Sequence, residues 1–310
     1  MKIYQGIEQF KKLEKAVVTT GTFDGVHIGH RTILNRVNEL AKKIKGESVL
    51  LTFHPHPRTV LQKDADMKLL NTIEEKTKLL EKSGINHLII HPFTMEFSRT
   101  SSLAYVRDIL VNQIGTKKLV IGYDHHFGRN RRGGFEHLKE YGPLYGFEVE
   151  EIPAQEIDNV NISYTKIRKA LIEGDVKTAN TYLGHAFQLT GEVVHGNKIG
   201  RELGYPTANV AIKDPHKLIP AEGVYAVNIN IQEKTYNGML SIGRRPTIYP
   251  INGKQTIEVN IFDFNEDIYG ETIELLLIDR IRDEKKFDNK EKLIEEMQKD
   301  KVRCERILLH

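Results

Sequence analysis

The chain has no tryptophan and a single cysteine, Cys304, among its 310 residues. One thiol excludes an intrachain disulfide and any zinc site built on cysteines, and it fits a reducing compartment. A dominant charge is lacking too: 45 Lys and Arg stand against 42 Asp and Glu, a net charge of +3 with both signs mixed along the chain. That balance builds no strongly basic face, so no nucleic-acid partner is expected. No apolar run is long enough to span a bilayer, and the opening "MKIYQGIEQFKKLEK" has no apolar signal-peptide region. The expectation is a cytoplasmic protein with no membrane partner. Internal repeats and low-complexity stretches are also missing. A chain of 310 residues makes one large or two ordinary domains.

What is present begins with alternation. "AVVTTG" (16–21), "SVLLTF" (48–53), "HLII" (87–90), "KLVIGY" (118–123) and "FEVEEI" (147–152) read as strands. Between them lie helical spacings. Ile33, Leu34, Val37, Leu40, Ala41 and Ile44 mark one helix ended by Gly46. Thr72 and Glu75 form a capping-box pattern for a second helix stopping at Gly84, and Leu103, Val106 and Leu110 mark a third. Strands separated by helices predict βαβ units and a parallel sheet, whose ligands sit beyond the carboxyl ends of the strands. From about residue 186 the period changes to two. Tyr225, Val227, Ile229 and Ile231 alternate with small or polar residues, Ile257, Val259 and Ile261 do likewise, and "TIELLLI" (272–278) follows. Short strands with few helices predict a closed antiparallel β-barrel. A final helix is expected over 289–308, opened by Asp288 or Asn289. The class is therefore α/β with a second, barrel domain, divided into 1–184 and 185–310.

Several motifs carry chemistry. "TGTFDGVHIGHR" (20–31) lies at the first strand-to-helix turn, with His27 and His30 beside Gly21, Gly25 and Gly29. Glycines let backbone amides approach a phosphate, and a helix N-terminus favours negative charge. Two imidazoles there can stabilise charge on a transferring phosphoryl group; two surface histidines on a tight turn are the plainer alternative. "NISYTKIRKAL" (161–171) places Ser163 at an N-cap with Thr165 and Arg168 following, an anion site or an ordinary capped helix. "GYDHHFGRNRRGG" (122–134) is a Gly- and Arg-rich loop at a strand end, a ligand loop or a mobile basic loop. His54 and His56 in "FHPHP" read as structural. In "GNKIGRELGYPTANV" (196–210), Gly196, Lys198, Gly200 and Arg201 suit phosphate oxygens. Thr207 and Asn209, two apart on an extended chain, face one way and offer hard oxygen ligands for Mg²⁺; a glycine-rich loop followed by a turn is the plainer alternative. Glu258 in "TIEVNIF" points away from its apolar neighbours, with Asn260, as a general base or a solvated carboxylate.

Together, "GTFDGVHIGH", "ISYTKIR", "GEVVHGNKIGRELGYPTANV", "GVYAV", "SIGRRPT" and "IRDEKKF" resemble, in order and spacing, the bacterial bifunctional FAD synthetases, in which riboflavin kinase is fused to FMN adenylyltransferase. The resemblance spans essentially the whole chain. It implies an HxGH-type, Rossmann-like nucleotidylyltransferase domain followed by a riboflavin kinase barrel. In the first domain the FMN phosphate would attack the ATP α-phosphorus and release pyrophosphate, giving FAD. His27 and His30 would bind phosphates and stabilise the transition state, with Gly21, Phe23 and Gly29 at the nucleotide. Ser163, Thr165 and Arg168 would grip the triphosphate, and Asp124 and Phe127 would lie at the flavin. In the barrel, Thr207 and Asn209 would hold Mg²⁺ and ATP, Glu258 would take the ribityl hydroxyl proton, and Arg282 would lie near the flavin ring. The chain departs from the family pattern at Tyr164 and His125, where Ser and Phe are usual, and at Asn260 and Ser241, where many members carry His and Asn. Three functions are therefore distinguished: the bifunctional enzyme, a monofunctional FMN adenylyltransferase with a flavin-binding barrel, and a non-catalytic flavin sensor.

Overall fold

The computed structural model describes residues 1–62, 67–154, 164–196, 204–244 and 255–309. They form two compact units, Met1–Ile162 and Ser163–His310.

In the first unit, the apolar runs become a six-stranded parallel sheet. Its strands are β1 (Lys2–Gln5), β2 (Ala16–Thr20), β3 (Glu47–His54), β4 (His87–Pro92), β5 (Thr116–Gly122) and β6 (Glu148–Ile152), in the order β1-β4-β3-β2-β5-β6. All five residues of β2 are buried, because helices cover both faces. Val17, Leu50, Leu88 and Val120 pack on one face with Ile33, Leu34 and Val37 of α1 (Ile28–Ile44) and Leu80 of α3 (Ile73–Glu81). Val18, Leu51, Ile89 and Leu119 pack on the other with Val106, Leu110 and Ile114. Those three belong to the π-helix Tyr105–Ile114, which continues α4 (Ser102–Ala104). The chain leaves β2 toward β3 on one side and returns as β5 on the other. The carboxyl end of β2 is thus a topological switch point, where ligands bind in such sheets.

Local rules explain the ends. Thr72 and Glu75 make the reciprocal capping box of α3. The first helix ends one residue earlier than its glycine suggested: Lys45 takes the left-handed cap at φ 54°, and the Gly46 amide bonds to Ala41 O at 2.8 Å. Gly46 is needed for a different reason, since a Cβ there would meet the Lys15 carbonyl at 2.1 Å. Edge strand β1 and the short helix α2 (Pro57–Leu61) were not anticipated, nor was α5 (Phe135–Tyr145).

The second unit begins with α6 (Tyr164–Glu173) and α7 (Val176–Leu183). Then come β7 (Phe187–Val194), β8 (Ala208–Ala211), β9 (Gly223–Ile231), β10 (Lys234–Arg244), β11 (Gln255–Ile261) and β12 (Thr272–Arg282). They close as an antiparallel barrel, β10-β11-β8-β7-β12-β9. Tyr225, Val227, Ile229 and Ile231 are all buried, as the alternation predicts. The last helix, α8 (Lys290–Leu308), is capped by Asn289, whose side-chain oxygen accepts the Lys292 amide at 2.9 Å. Its Cys304 is fully buried against Val224, Ala226, Met239 and Phe262.

Helices α6 and α7 fall in the barrel's unit, whereas the sequence expectation placed residues up to 184 with the sheet. The contacts are specific. The Asn180 amide donates to Leu277 O at 2.8 Å and its oxygen accepts Phe187 N at 2.7 Å, while Leu171 O accepts Ala221 N at 3.0 Å.

Candidate active sites

In the first unit, the turn after β2 is held from several sides. Gly21 N donates to Leu51 O at 3.1 Å. Phe23 and Val26 sit in the left-handed region at φ 48° and 40°, with Gly25 at 81° between them. Such conformations cost about 1–3 kcal/mol for residues with a side chain and persist where the surroundings over-determine them. Here both side chains are buried. The Asp24 carboxylate accepts the Leu70 and Asn71 amides at 2.9 and 3.0 Å, and the Lys76 ammonium donates to Thr22 O at 3.0 Å.

The turn delivers His27 as the N-cap of α1, its Nδ1 accepting the His30 amide at 3.4 Å. The two imidazoles stack, with centroids 3.7 Å apart, and Phe23 lies 4.7 Å from the His30 ring. The Nδ1 of His30 is buried and has no hydrogen-bond partner among the described residues. Burial first, then His27 and Lys76, hold the His30 pKa well below the usual histidine range. The site therefore offers a neutral imidazole of His30 beside His27, Gly29 and a helix N-terminus, an arrangement suited to a phosphate.

An aromatic wall packs on the other face of the sheet from Phe23 and Val26. Phe53 lies one residue from the end of β3, Phe93 follows β4, and Phe97 packs on both at 5.5 and 5.7 Å. Tyr105 continues the row to Phe127 at 5.5 Å, and its hydroxyl meets the Thr20 hydroxyl at 2.7 Å. Phe127 is 6% exposed; its backbone pairs with Gly133, where any Cβ would strike its ring at 2.7 Å. His125 stacks on Phe127 at 5.9 Å, and its Nε2 is buried without a partner among the described residues. Burial, with His126 and Arg131, pushes its pKa down to about 4. Asp124 is exposed on the same loop. His56 caps α2, accepting the Arg58 amide at 3.1 Å, in keeping with its structural reading.

Three residues the sequence reading missed stand out: Asp24, Tyr105 and Lys76. Only Lys76 left a signal, a lysine at the buried spacing Ile73, Lys76, Leu80 of α3.

Of the anion group, Ser163 lies outside the described residues. Thr165 is exposed near the start of α6, in the second unit. Arg168 donates to the Tyr164 hydroxyl at 3.0 Å, so the unusual tyrosine holds the guanidinium.

In the barrel, the ladder brings the expected groups together. Glu258 on β11 stands opposite Asn209 on β8 and Ser241 on β10. The Thr207 hydroxyl lies 3.4 Å from a Glu258 oxygen. Gly196 abuts Asn209, whose amide nitrogen would be 2.0 Å from a Cβ at that position. Lys198, Gly200 and Arg201 lie outside the described residues. Asn260 does not face solvent as expected: it is buried, and its amide donates to Pro206 O at 2.7 Å, tying down the segment that carries Thr207. Arg282 is committed to α8, bonding the buried carboxylate of Asp300 at 2.8 Å and Asp283 O at 2.8 Å. Among the described residues no cluster of three or more His, Cys, Asp or Glu is placed to hold a metal ion. The hydroxyl, amide and carboxylate oxygens of Thr207, Asn209 and Glu258 nonetheless fit a hard cation such as Mg²⁺.

Comparison with known proteins agrees with this division of chemistry. The sequence model of the FAD synthetase family matches residues 9–166, and that of riboflavin kinase matches residues 183–308. A bifunctional riboflavin kinase/FMN adenylyltransferase of Buchnera aphidicola (subsp. Schizaphis graminum) is 38% identical over 97% of this chain and 96% of its own. Its counterpart in Escherichia coli K12 is 33% identical over 97% and 96%, and that of Bacillus subtilis 35% over 93% and 90%. A crystal structure described as a macrolide-efflux protein from Streptococcus pneumoniae superposes with a TM-score of 0.86 at 33% identity, covering 97% of both chains. Among the described residues of the present chain no helix is long and apolar enough to cross a membrane. The chain belongs to the family of bifunctional riboflavin kinase/FMN adenylyltransferases.

Proposed function

We propose that the barrel phosphorylates riboflavin to FMN and that the parallel-sheet unit joins FMN to AMP from ATP, giving FAD and pyrophosphate. The observation that carries this reading is the near full-length match to bifunctional enzymes, with a distinct polar cluster in each unit.

In the kinase step Glu258 accepts the proton of the ribityl hydroxyl as the hydroxyl oxygen attacks the γ-phosphorus of ATP and ADP departs with the β–γ bridging oxygen. Thr207 and Asn209 are assigned to Mg²⁺ and nucleotide, and the cation, when bound, neutralises phosphate charge. Gly196 keeps the backbone close to Asn209. Asn260 holds Pro206, and with it the register of Thr207.

In the adenylylation step the FMN phosphate oxygen is already a competent nucleophile, so no covalent enzyme intermediate is needed. His27 and His30, with the start of α1, stabilise charge on the transferring group and on departing pyrophosphate. The aromatic wall from Phe53 to Phe127 suits a flat ring system. Thr165 and Arg168 keep their assignment as anion-binding groups, and Asp124 and Phe127 theirs at the flavin. Arg282, held by Asp300, is assigned to shaping the kinase end of β12. A supply of ATP fits a cytoplasmic location for both steps.

Incubation of the chain with riboflavin, Mg²⁺ and ATP, followed by flavin chromatography, tests the reading. FMN and FAD are expected. FAD only from supplied FMN points to the monofunctional enzyme, and no turnover to a flavin-binding protein. His30→Ala should abolish FAD while sparing FMN, a loss of about 10²–10³-fold for one charge-stabilising donor.

A further inference from the structure

Lys76 is 8% exposed, on the buried side of α3 beneath the histidine turn. A buried ammonium is costly unless a charge compensates it. Its two hydrogen-bond partners are uncharged: Thr22 O at 3.0 Å and the Thr52 hydroxyl at 3.2 Å. Thr52 itself donates to Thr22 O at 3.2 Å, closing a triangle under the turn. Among the described residues Lys76 makes no ion pair. An ammonium carries three hydrogens, and two are used.

Little else near it carries charge: the two histidines it acts on are held neutral. Lys76 depresses the pKa of His30 on α1 and of His56 at the start of α2. Asp24 favours the ammonium from the turn, but its carboxylate is already bonded to the Leu70 and Asn71 amides. Glu75, the neighbour on α3, is committed to the capping box. A lysine with a purely structural task would be expected to face a carboxylate. One left with neutral partners, between two histidines at the carboxyl ends of β2 and β3, is matched by a polyanion.

Resting on the adenylyltransferase reading of this unit, we propose that Lys76 is a positioning residue for the ATP phosphates. It fastens the histidine turn through Thr22 and contributes the buried positive charge toward which the triphosphate is drawn. Burial lowers its pKa to about 8, against the pull of Asp24, so the free enzyme loses that charge in mildly alkaline solution. Phosphates favour the charged form and should bind less well as it is lost.

The test measures kcat/KM for ATP in FMN adenylylation from pH 7 to about 9.5, with riboflavin phosphorylation in the same sample as a control on the fold. Wild type should lose efficiency above about pH 8. Lys76→Met should lower kcat/KM for ATP by about 10–100-fold, the value of a charge-assisted hydrogen bond, and should lose the alkaline fall. Thr52→Val removes one acceptor of the ammonium but keeps the charge, and should shift the fall to lower pH. Unchanged efficiency in Lys76→Met overturns the proposal, and so does a uniform loss that leaves the pH profile intact. If Lys76→Met fails to fold, the other two proteins decide: a flat wild-type profile, or a Thr52→Val profile that does not move, overturns it. A wild-type chain that makes no FAD from FMN instead overturns the activity reading, before any substitution is made.

Discussion

The imidazoles of His27 and His30 lie ring over ring, centroids 3.7 Å apart and planes 22° from parallel. Two cations at that separation repel, so the pair resists double protonation. Half-buried histidines elsewhere in the unit behave alike: His56 and His125 are each drawn down to about 4, desolvation being the largest cause. An unfolded histidine titrates near 6.5. Between that value and the folded one the unfolded chain binds more protons, so stability is full above about 6.5 and falls toward pH 4. The urea midpoint of the first unit's transition should drop between pH 7 and 5, and His125→Phe should flatten the slope. A midpoint that does not move with pH would refute this.

Glu258→Gln should stop riboflavin phosphorylation while FMN adenylylation continues. Glutamine keeps the shape beside Thr207 and Asn209 but accepts no proton. Loss of a general base costs about 10²–10⁴ in rate. Both reactions are measured on one sample. Wild-type rates in both make Glu258 a bystander, and loss of both marks a damaged fold.

Asn260→Ala should release Pro206 and let Thr207 drift. The expected outcome is a kinase rate reduced about 10–100-fold, because small misplacements in a site are costly. Adenylylation should stay unchanged. If the kinase keeps its rate, the amide tie has no part in positioning.

A fragment of residues 163–310 should unfold at higher urea than one of 185–310. The shorter fragment loses the Asn180 bonds to Leu277 and Phe187 and the buried Leu171, Ala179 and Leu183. Full burial of each leucine is worth about 1.5–3 kcal/mol. Equal midpoints would place the boundary at 184/185, where the hydrophobic period changes.

The parallel sheet and the barrel were legible because their strands announce themselves locally. The run Val17–Thr20 is apolar or β-branched since both faces are covered, and Tyr225, Val227, Ile229 and Ile231 alternate with small or polar residues. The histidine motif was legible because its glycines and imidazoles fall within a dozen residues. The aromatic wall was not: Phe53, Phe97, Tyr105 and Phe127 come from separate segments that only the fold assembles. Lys76 was hidden because lysine reads as surface. The partner of Asn260 is a carbonyl more than fifty residues away, invisible to any local pattern. The placement of α6 and α7 escaped for a related reason, since an apolar helical stripe does not say which body it covers.

The solitary thiol has a practical consequence. Cys304 is fully buried on the barrel-facing side of α8, and burial, with Asp300, Glu305 and Asp279, pushes its pKa up to about 12. Thiolate, the reactive species, is scarce there, and reagents cannot reach the sulfur until the helix lifts from the barrel. The protein thus carries a native reporter of a single event. The rate at which a thiol reagent labels the chain under native conditions measures how often its last helix detaches. A fluorophore attached at one introduced surface cysteine would leave the native thiol silent on the same timescale.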